Sequence, residues 1–266
     1  GFYSIKTYEL NNMKNTFAKQ GQKKDGGELI TLFRIWTLTV SGIVVNKDDT
    51  NRVIYCEWSG WVTGLIKLCL VSILFIVWIH PKKMWVVGTK TLNNTEFGTH
   101  LVIAIVLLLI GWLDSSSSLG SLSSLAPYLT AFLAGLLVFQ FILEFDQTKG
   151  VWFNFHWDNK GWYLSLSVAL MSISILIGIL LDDPIVSTAG MVALPFAAIA
   201  LIWPSHVRHL QRARFYPIFI FSMFLCVRAP WFLLPLAVLF FVLRTVNYFR
   251  YGIVHPSFGV DFLEEA

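Results

Sequence analysis

Long apolar runs, repeated along most of the chain, constrain the fold of this sequence more than any other feature. From Trp61 onward they alternate with short polar breaks. A soluble helix buries one apolar stripe and keeps a polar face, so runs that are apolar on all sides indicate helices solvated by lipid. The runs cover residues 61–79, 100–113, 125–143, 162–181, 185–203, 215–227 and 231–243.

The lengths of these runs fit a bilayer. Four of the first five have 19 or 20 residues, and about 20 residues cross ~30 Å of hydrocarbon at ~1.5 Å per residue. The run 100–113 is shorter and would need Thr99 and the serines beyond Asp114 to complete its passage. The chain is 56% hydrophobic and 14% charged, whereas soluble domains average about 45–50% and about 25%. These values exclude a disordered chain and an ordinary cytosolic enzyme.

Charge and cysteine content exclude further classes of protein. The formal net charge of +4 is too slight to indicate nucleic-acid binding. The three cysteines are scattered and form no CxxC motif, so neither a disulfide framework nor a thiolate metal site is expected. Residues 1–28 contain no apolar core of a secretory signal, so no cleavable targeting peptide is expected. The expected partners are the lipid bilayer and other membrane subunits, with no nucleic acid.

The last two runs are separated by Arg228, Ala229 and Pro230. The first of them would rise only ~20 Å as a helix, whereas a single helix over 215–243 would rise ~43 Å. Such a helix would also place Arg228 at mid-membrane beside a proline, which is costly without a partner. We therefore predict a hairpin that turns at residues 228–230, formed by two short tilted spans or by a re-entrant pair of half-helices, in preference to one kinked helix.

The segment before the first long run allows two interpretations. Residues 30–45 are apolar enough for a short span, but Thr37, Thr39 and Ser41 alternate with apolar residues, and a period of two indicates a strand. A turn and a β-rich return would complete a short β-hairpin around residues 34–58. Either residues 30–45 cross the membrane or they belong to an external hairpin. The predicted fold is accordingly an all-α polytopic bundle of seven or eight transmembrane helices.

Basic residues gather at one end of this predicted bundle. If the spans alternate, ten of the eleven Lys and Arg residues after residue 80 fall at that end. The eleventh, Arg228, lies in the hairpin turn, and the opposite loops 114–124 and 182–184 contain no basic residue. The positive-inside rule then places the basic loops and the C-terminus on the cytoplasmic or an equivalent side. The predicted organisation is a polar N-terminal segment (1–28), a short span or external hairpin (29–60), a transmembrane helical domain (61–250) and an inner-face tail (251–266).

Ionisable residues within apolar runs are the first candidates for a transport site. Arg228 lies in its proline-flanked turn and would place a cation and freed backbone groups at depth if the last pair is re-entrant; alternatively, it extends to the outer headgroups. Lys67 lies near one end of its run, where its ammonium can reach the interface. Glu144 lies where a span is expected to emerge from the membrane.

Histidines offer a candidate metal site. All six fall at or near the predicted inner face, and neutral imidazole binds iron and zinc. His206 and His209 are three residues apart, which places two rings on one side of a helix. The sequence has a single HxxH and lacks the multiple histidine boxes of a membrane di-iron oxygenase, so interfacial histidines are the simpler interpretation. The metal candidates are His206, His209, His156 and His255; no cofactor is assigned.

Two further patterns have a functional and a structural interpretation. The segment after residue 243 is dense in Arg and Tyr, and it either grips a partner subunit or lipid phosphates or acts as an aromatic-basic membrane anchor. Serines that recur seven residues apart in 165–174 could line a pore, but helix packing is the expected role. The candidate contact residues at the C-terminal end are Arg244, Arg250, Tyr248 and Tyr251.

Three classes of function are compatible with these patterns. The leading expectation is a non-catalytic structural or accessory subunit of a larger membrane complex, because the spans are poor in charge and no catalytic box occurs. The first alternative is a transporter or channel that uses Arg228 and the proline-broken last helical pair. The second is an inner-face membrane enzyme with a His-ligated metal.

Overall fold

The computed structural model of this chain shows a bundle of α-helices with one two-stranded β-ribbon among its described residues. The structure describes residues 26–45, 58–85, 87, 91–114, 117–140, 142–146, 151–156, 160–203 and 207–251. In chain order the elements are α1 (Gly26–Val45), α2 (Trp61–Leu74, continued by a π-helical turn over Phe75–Ile79), α3 (Asn94–Trp112), a 3₁₀ turn (Leu119–Leu125) leading into α4 (Ala126–Val138), β1 (Ile142–Asp146), β2 (Val151–His156), α5 (Lys160–Leu180), α6 (Pro184–Ile202), α7 (Val207–Arg228), a second 3₁₀ turn (Pro230–Phe232) and α8 (Leu233–Tyr251).

Six helical segments within the described part are long and apolar enough to cross a membrane. Two shorter apolar helices, Thr31–Val45 and Pro230–Val242, accompany them. The described part of the chain is therefore helical, with six candidate membrane spans. The six are Trp61–Ile79, Asn94–Trp112, Leu119–Val138, Gly161–Leu180, Pro184–Ile202 and His209–Arg228.

Helix α2 shows how a span of this bundle divides its surface. Its buried residues recur three or four positions apart and form one stripe against the other helices. The large aliphatic side chains between them point outward and are exposed. In a membrane this outward face is solvated by lipid tails, which are as apolar as the side chains themselves. The buried stripe consists of Gly64, Leu68, Val71, Phe75 and Ile79.

Helix α3 extends beyond its apolar run on the N-terminal side and not on the C-terminal side. Asn93 caps its start: the Asn93 side chain accepts from the backbone N–H of Glu96 at 2.8 Å, and the Glu96 carboxylate accepts from the N–H of Asn93 at 3.1 Å. This capping box starts the helix six residues before His100, and the helix ends at Trp112. The expectation that serines beyond Asp114 complete this span is therefore wrong.

Helix α1 replaces the first strand of the expected β-hairpin around residues 34–58, so that expectation is wrong for residues 34–45. The hydroxyls of Thr37, Thr39 and Ser41 each donate to the carbonyl oxygen four residues earlier, at 2.8, 2.9 and 2.8 Å. Because each hydroxyl is satisfied by its own helix, polar residues are tolerated on several faces and their spacing of two does not indicate a strand. The rest of the expected hairpin, residues 46–57, lies outside the described residues.

A β-ribbon follows α4 where the apolar pattern predicts the end of a span. Helix α4 ends at Val138, and β1 pairs antiparallel with β2, Glu144 opposite Phe153 and Asp146 opposite Val151. The run 125–143 is therefore part helix and part strand, and this short ribbon is the exception in an otherwise helical fold among the described residues. Ile142 and Leu143 belong to the strand. The sequence does not predict this, because apolar content alone does not distinguish a helix from a short strand.

The last two helices form a helical hairpin. Helix α7 ends at Arg228, and α8 begins after the 3₁₀ turn at Pro230–Phe232. The rings of Phe219 and Phe240 lie 5.3 Å apart between centroids, although one continuous helix would separate them by ~31 Å. The chain therefore reverses between the two helices. Helix α7 has 22 residues, however, so it is longer than the short tilted span or half-helix that the sequence predicts.

Contacts between helices show which loops share an end of the bundle. At one end, the Lys67 ammonium donates to the Gly111 carbonyl at 2.7 Å, and the Tyr128 hydroxyl donates to the Asp183 carboxylate at 2.8 Å. We call this end, which also carries residues 113–114, 117–118, 181–183 and 229, the serine end. At the other end, the N–H of Leu92 donates to the Gln140 side chain at 2.9 Å. We call it the basic end, since it carries Lys82 and Lys83.

Candidate functional site: a cavity with two buried arginines

A cavity of about 90 Å³ lies inside the bundle between α1, α4, α5 and α7. A single water needs about 10–15 Å³ on the same kind of measure, so the cavity has room for a ligand group and not just one solvent molecule. Small residues of α4 keep it open: a Cβ atom added to Gly135 would meet nothing within 4 Å. Ala131, one turn away on the same helix, also lines the space.

Two arginines, Arg34 of α1 and Arg214 of α7, line this cavity. They are only 6% and 7% exposed. Their guanidinium carbons lie 4.1 and 4.6 Å from the ring centroid of Phe139, so the two carbons cannot be further apart than the sum of these distances. Cation–π contact with one aromatic ring holds both groups in place, but it does not neutralise their charge.

Among the described residues that line the cavity, none is Asp or Glu, so none of them offers a negative charge to match the two guanidinium groups. The Nε atom of Arg214 is buried and has no hydrogen-bond partner. Buried charges are normally paired, because removal of an unpaired ion from water is costly. Within the described lining, therefore, no carboxylate offsets the charges of the two guanidinium groups.

Trp85, whose indole N–H is unpaired, also lines this cavity. Trp85 is 8% exposed, and its Nε1–H is buried without a hydrogen-bond partner. The indole is fixed by ring contacts with His100 and Phe132, at 5.0 and 5.8 Å between centroids. A buried donor without an acceptor costs free energy that a bound acceptor would recover. The indole N–H, like the guanidinium groups, can only donate, so the cavity suits a ligand with several acceptor oxygens.

The remainder of the lining is largely apolar. Thr37 and Ser41 line the cavity from α1, and their hydroxyls donate to carbonyls of their own helix. Along α4 the lining reaches from Phe139 to Tyr128, which corresponds to a distance of ~16 Å. The Tyr128 hydroxyl is bonded to Asp183 at the serine end. The cavity is thus long, cationic near the basic end and apolar along its body.

Both arginines lie inside helices. Arg34 is eight residues beyond the start of α1, and Arg214 is seven residues beyond the start of α7, which places them ~12 and ~10 Å from those ends. Arg214, one of the ten cations that the sequence predicts for the loops at one end of the bundle, therefore lies inside a helix and not in a loop. The cause is the position of the helix start, since α7 begins at Val207 and not at the apolar residue 215.

The transport candidates predicted from sequence lie elsewhere. Arg228 is at the C-terminal end of α7, where a cation interacts favourably with the helix dipole, and it is ~21 Å along that helix from Arg214. Lys67 binds the carbonyl of Gly111 and so satisfies a backbone group in the last turn of α3. Glu144 is on β1, and its side chain lies outside the described part. Neither Arg228 nor Lys67 lines the cavity.

The metal candidates are not brought together in the part of the chain that the structure describes. His209 is half-buried beside Trp203, 6.4 Å between ring centroids. His206 and His255 lie outside the described residues, and so does the side chain of His156, which is on β2. No group of three His, Cys, Asp or Glu residues is placed to hold a metal among those described.

The C-terminal contact candidates belong to α8, which continues to its last residue, Tyr251. The side chains of Arg244, Tyr248, Arg250 and Tyr251 lie outside the described part, so their predicted contact with lipid or a partner stays a prediction. The serines of α5 act in packing, as expected: Ser167 and Ser174 donate across the helix interface to carbonyls of α4 at 2.7 and 2.6 Å.

Comparison with known proteins adds no family or neighbour to this picture. The chain matches no protein-family model, no curated protein and no solved structure. One residue of the cavity, Arg34, carries a signal in the sequence, since it is a cation inside an apolar stretch. Arg214 carries none, because it borders a run and resembles a loop residue.

Proposed function

We propose that this protein binds an anion inside its membrane bundle and carries it across the bilayer, with Arg34 and Arg214 as the binding groups. The observation that carries this proposal is the placement of both guanidinium groups, at 4.1 and 4.6 Å, over the ring of Phe139 in a cavity whose described lining has no carboxylate. Two like charges repel more strongly in an apolar interior than in water. A bound anion removes that repulsion, which gives the site its affinity.

The proposed topology has eight spans. Helix α1 supports this number: it has 20 residues, its N-terminal half lies beside the end of α4 at Phe139, and its C-terminal half lies beside the end of α3 at Gly111. It therefore passes from the basic end to the serine end. The hairpin of α7 and α8 supplies the last two spans, and the basic end faces the cytoplasm or an equivalent compartment.

Release of the anion would require the cavity to open at the serine end. The bond from Tyr128 to Asp183 closes that end, and Asp183 also caps α6 by accepting from the N–H groups of Ile185 and Val186 at 2.9 and 3.3 Å. Separation of α4 from the start of α6 would break this bond and connect the cavity to the serine end. The anion would enter from the basic end, near the arginines.

The test compares Arg34→Gln and Arg214→Gln with Arg212→Gln. The control removes an exposed arginine of α7, the helix that carries Arg214. We expect inorganic phosphate, sulfate or an organic acid to raise the thermal unfolding temperature of the wild-type protein and of Arg212→Gln. The cavity variants should lose this stabilisation and should also lose flux of the same anion in proteoliposomes. Equal stabilisation and flux in all four proteins would contradict the proposal.

A second candidate is the non-catalytic subunit of a larger membrane complex. The outward face of α2 favours it: Ile66, Ile73 and Val77 are all more than 60% exposed and offer a continuous apolar surface to a neighbouring helix or to lipid. Native mass spectrometry of the protein extracted from its own membrane shows whether a partner protein or lipid covers this surface. A stoichiometric protein partner would support the subunit role, and lipid alone would count against it.

A further inference from the structure

We infer that the ligand of the arginine cavity is a single-chain amphiphile whose head is a phosphate monoester. This inference rests on the proposed anion-binding function and specifies the ligand. It follows from three properties of the cavity, namely the number of its cations, the number of its free donors and the length of its apolar body.

The number of cations selects the charge of the head. Arg34 and Arg214 together carry two positive charges, and the described lining offers no carboxylate to offset either. A phosphate monoester carries about −1.5 to −2 near pH 7 and can offset both. A carboxylate or a phosphate diester carries a single charge and would leave one guanidinium uncompensated in an apolar interior. Charge balance therefore favours the monoester.

The free donors select the shape of the head. Guanidinium groups present several N–H donors in a planar fork that binds phosphate oxygens in pairs. The Nε–H of Arg214 and the Nε1–H of Trp85 are both buried without partners. A monoester head has three terminal oxygens, which is enough to accept from two guanidinium groups and one indole. Donors from α1, α7 and the segment after α2 would then converge on one group.

The apolar body selects the tail. From Phe139 to Tyr128 the lining extends ~16 Å along α4, and Leu38, Phe132, Met171 and Phe221 line it from four helices and offer no charge. Burial of methylene groups against these side chains adds to affinity in proportion to the area removed from water. A compact inorganic anion would leave this space unused. The cavity therefore fits a chain that runs from the arginines toward the serine end.

The experiment titrates the protein in phosphatidylcholine nanodiscs, with empty nanodiscs subtracted, using dodecyl phosphate, laurate and inorganic phosphate. We expect dodecyl phosphate to bind at least tenfold more tightly than either of the other two. In Arg34→Gln, which retains one cation, the preference for dodecyl phosphate over laurate should fall to less than threefold. Arg212→Gln should keep the full preference, because that side chain is exposed.

A second variant tests the tail separately. Gly135→Leu adds a side chain into open space within the cavity. It should weaken dodecyl phosphate at least tenfold and leave inorganic phosphate unchanged within twofold. Gly98→Leu is the matched control, since Gly98 is also free of neighbours but does not line the cavity. An unchanged thermal unfolding temperature shows that each variant is folded.

The possible outcomes separate this inference from the proposed function. If laurate binds as tightly as dodecyl phosphate, the monoester assignment is overturned while anion binding stands. If inorganic phosphate binds as tightly as dodecyl phosphate, the tail assignment is overturned and a soluble phosphate is the ligand. If none of the three anions binds, this inference and the proposed function both fail.

Discussion

Gly42 of α1 and Gly111 of α3 cross with no side chain between the two backbones. A Cβ atom added to either glycine would lie 3.0 Å from the Cα of the other, and it would collide with the backbone oxygen of Leu108 or of Thr39. Small residues at such crossings let membrane helices approach closely. This crossing holds α1 against α3 and so fixes the position of Arg34 in the bundle.

Replacement of either glycine by alanine should therefore destabilise the protein. We expect Gly42→Ala and Gly111→Ala to lower the free energy of unfolding by about 1–3 kcal/mol, since a rigid backbone cannot yield to the added methyl group. Gly98→Ala is the control on the helix that carries Gly111, because a Cβ atom added at Gly98 meets nothing within 4 Å. Reversible unfolding in mixed micelles measures the difference. Identical behaviour of the three variants would show that the crossing is not tight.

The sequence predicts the bundle better than it predicts α1. Runs of uniform apolar character predict lipid-facing helices such as α2 almost to the residue, because lipid selects for that character directly. Helix α1 is surrounded by other helices, and its hydroxyls are satisfied internally, so its polarity follows no single face. A prediction from the hydrophobic pattern fails for a helix of this kind. The pattern reflects which face of a helix contacts solvent, and the described residues of α1 have little such contact.

The arginine cavity was beyond prediction for a related reason. Arg34 and Arg214 are 180 residues apart in the sequence, and Phe139 joins them only after α1, α4 and α7 have packed together. No local motif encodes that convergence. A charge count assigns Arg214 to a loop, because its place inside a helix depends on where α7 begins. The ends of helices are the part of a sequence interpretation that periodicity determines least well.

The contact of Phe33 with both arms of the helical hairpin provides a second prediction. Its ring lies 4.8 Å from Phe219 of α7 and 5.5 Å from Phe240 of α8 between centroids, and it is fully buried. Phe33→Ala should cost about 3–5 kcal/mol of unfolding free energy, the usual loss for a buried aromatic ring. Phe241 follows Phe240 in the sequence and is 73% exposed, so Phe241→Ala should change stability little. A similar loss in both variants would contradict the closed hairpin.

The hydrogen bond from Tyr128 to Asp183 provides a third prediction. Removal of the hydroxyl in Tyr128→Phe leaves one carboxylate oxygen of a buried Asp183 without this partner. We expect a loss of about 1–3 kcal/mol in unfolding free energy, the cost of an unsatisfied buried group. Tyr216→Phe, at a more exposed position, is the control and should be neutral. If Tyr128 also closes the serine end, the variant should show faster anion efflux from proteoliposomes, whereas Tyr216→Phe should not.

The membrane orientation can be tested by labelling from one side of sealed vesicles. Single cysteines at Lys83 and Arg212, introduced after replacement of Cys56, Cys69 and Cys226, should react with an impermeant maleimide from the same side. Both residues are exposed, and they lie near the basic end, after α2 and in the first turns of α7.

A cysteine at Ser118, in the exposed turn at the serine end, should react only from the opposite side. The physical reason is that an even number of spans separates the first two sites, and an odd number separates either from the third. The positive-inside rule adds that the first two face the cytoplasm in cells. Labelling of Lys83→Cys and Arg212→Cys from opposite sides would invalidate the eight-span topology, and with it the direction in which the cavity arginines face.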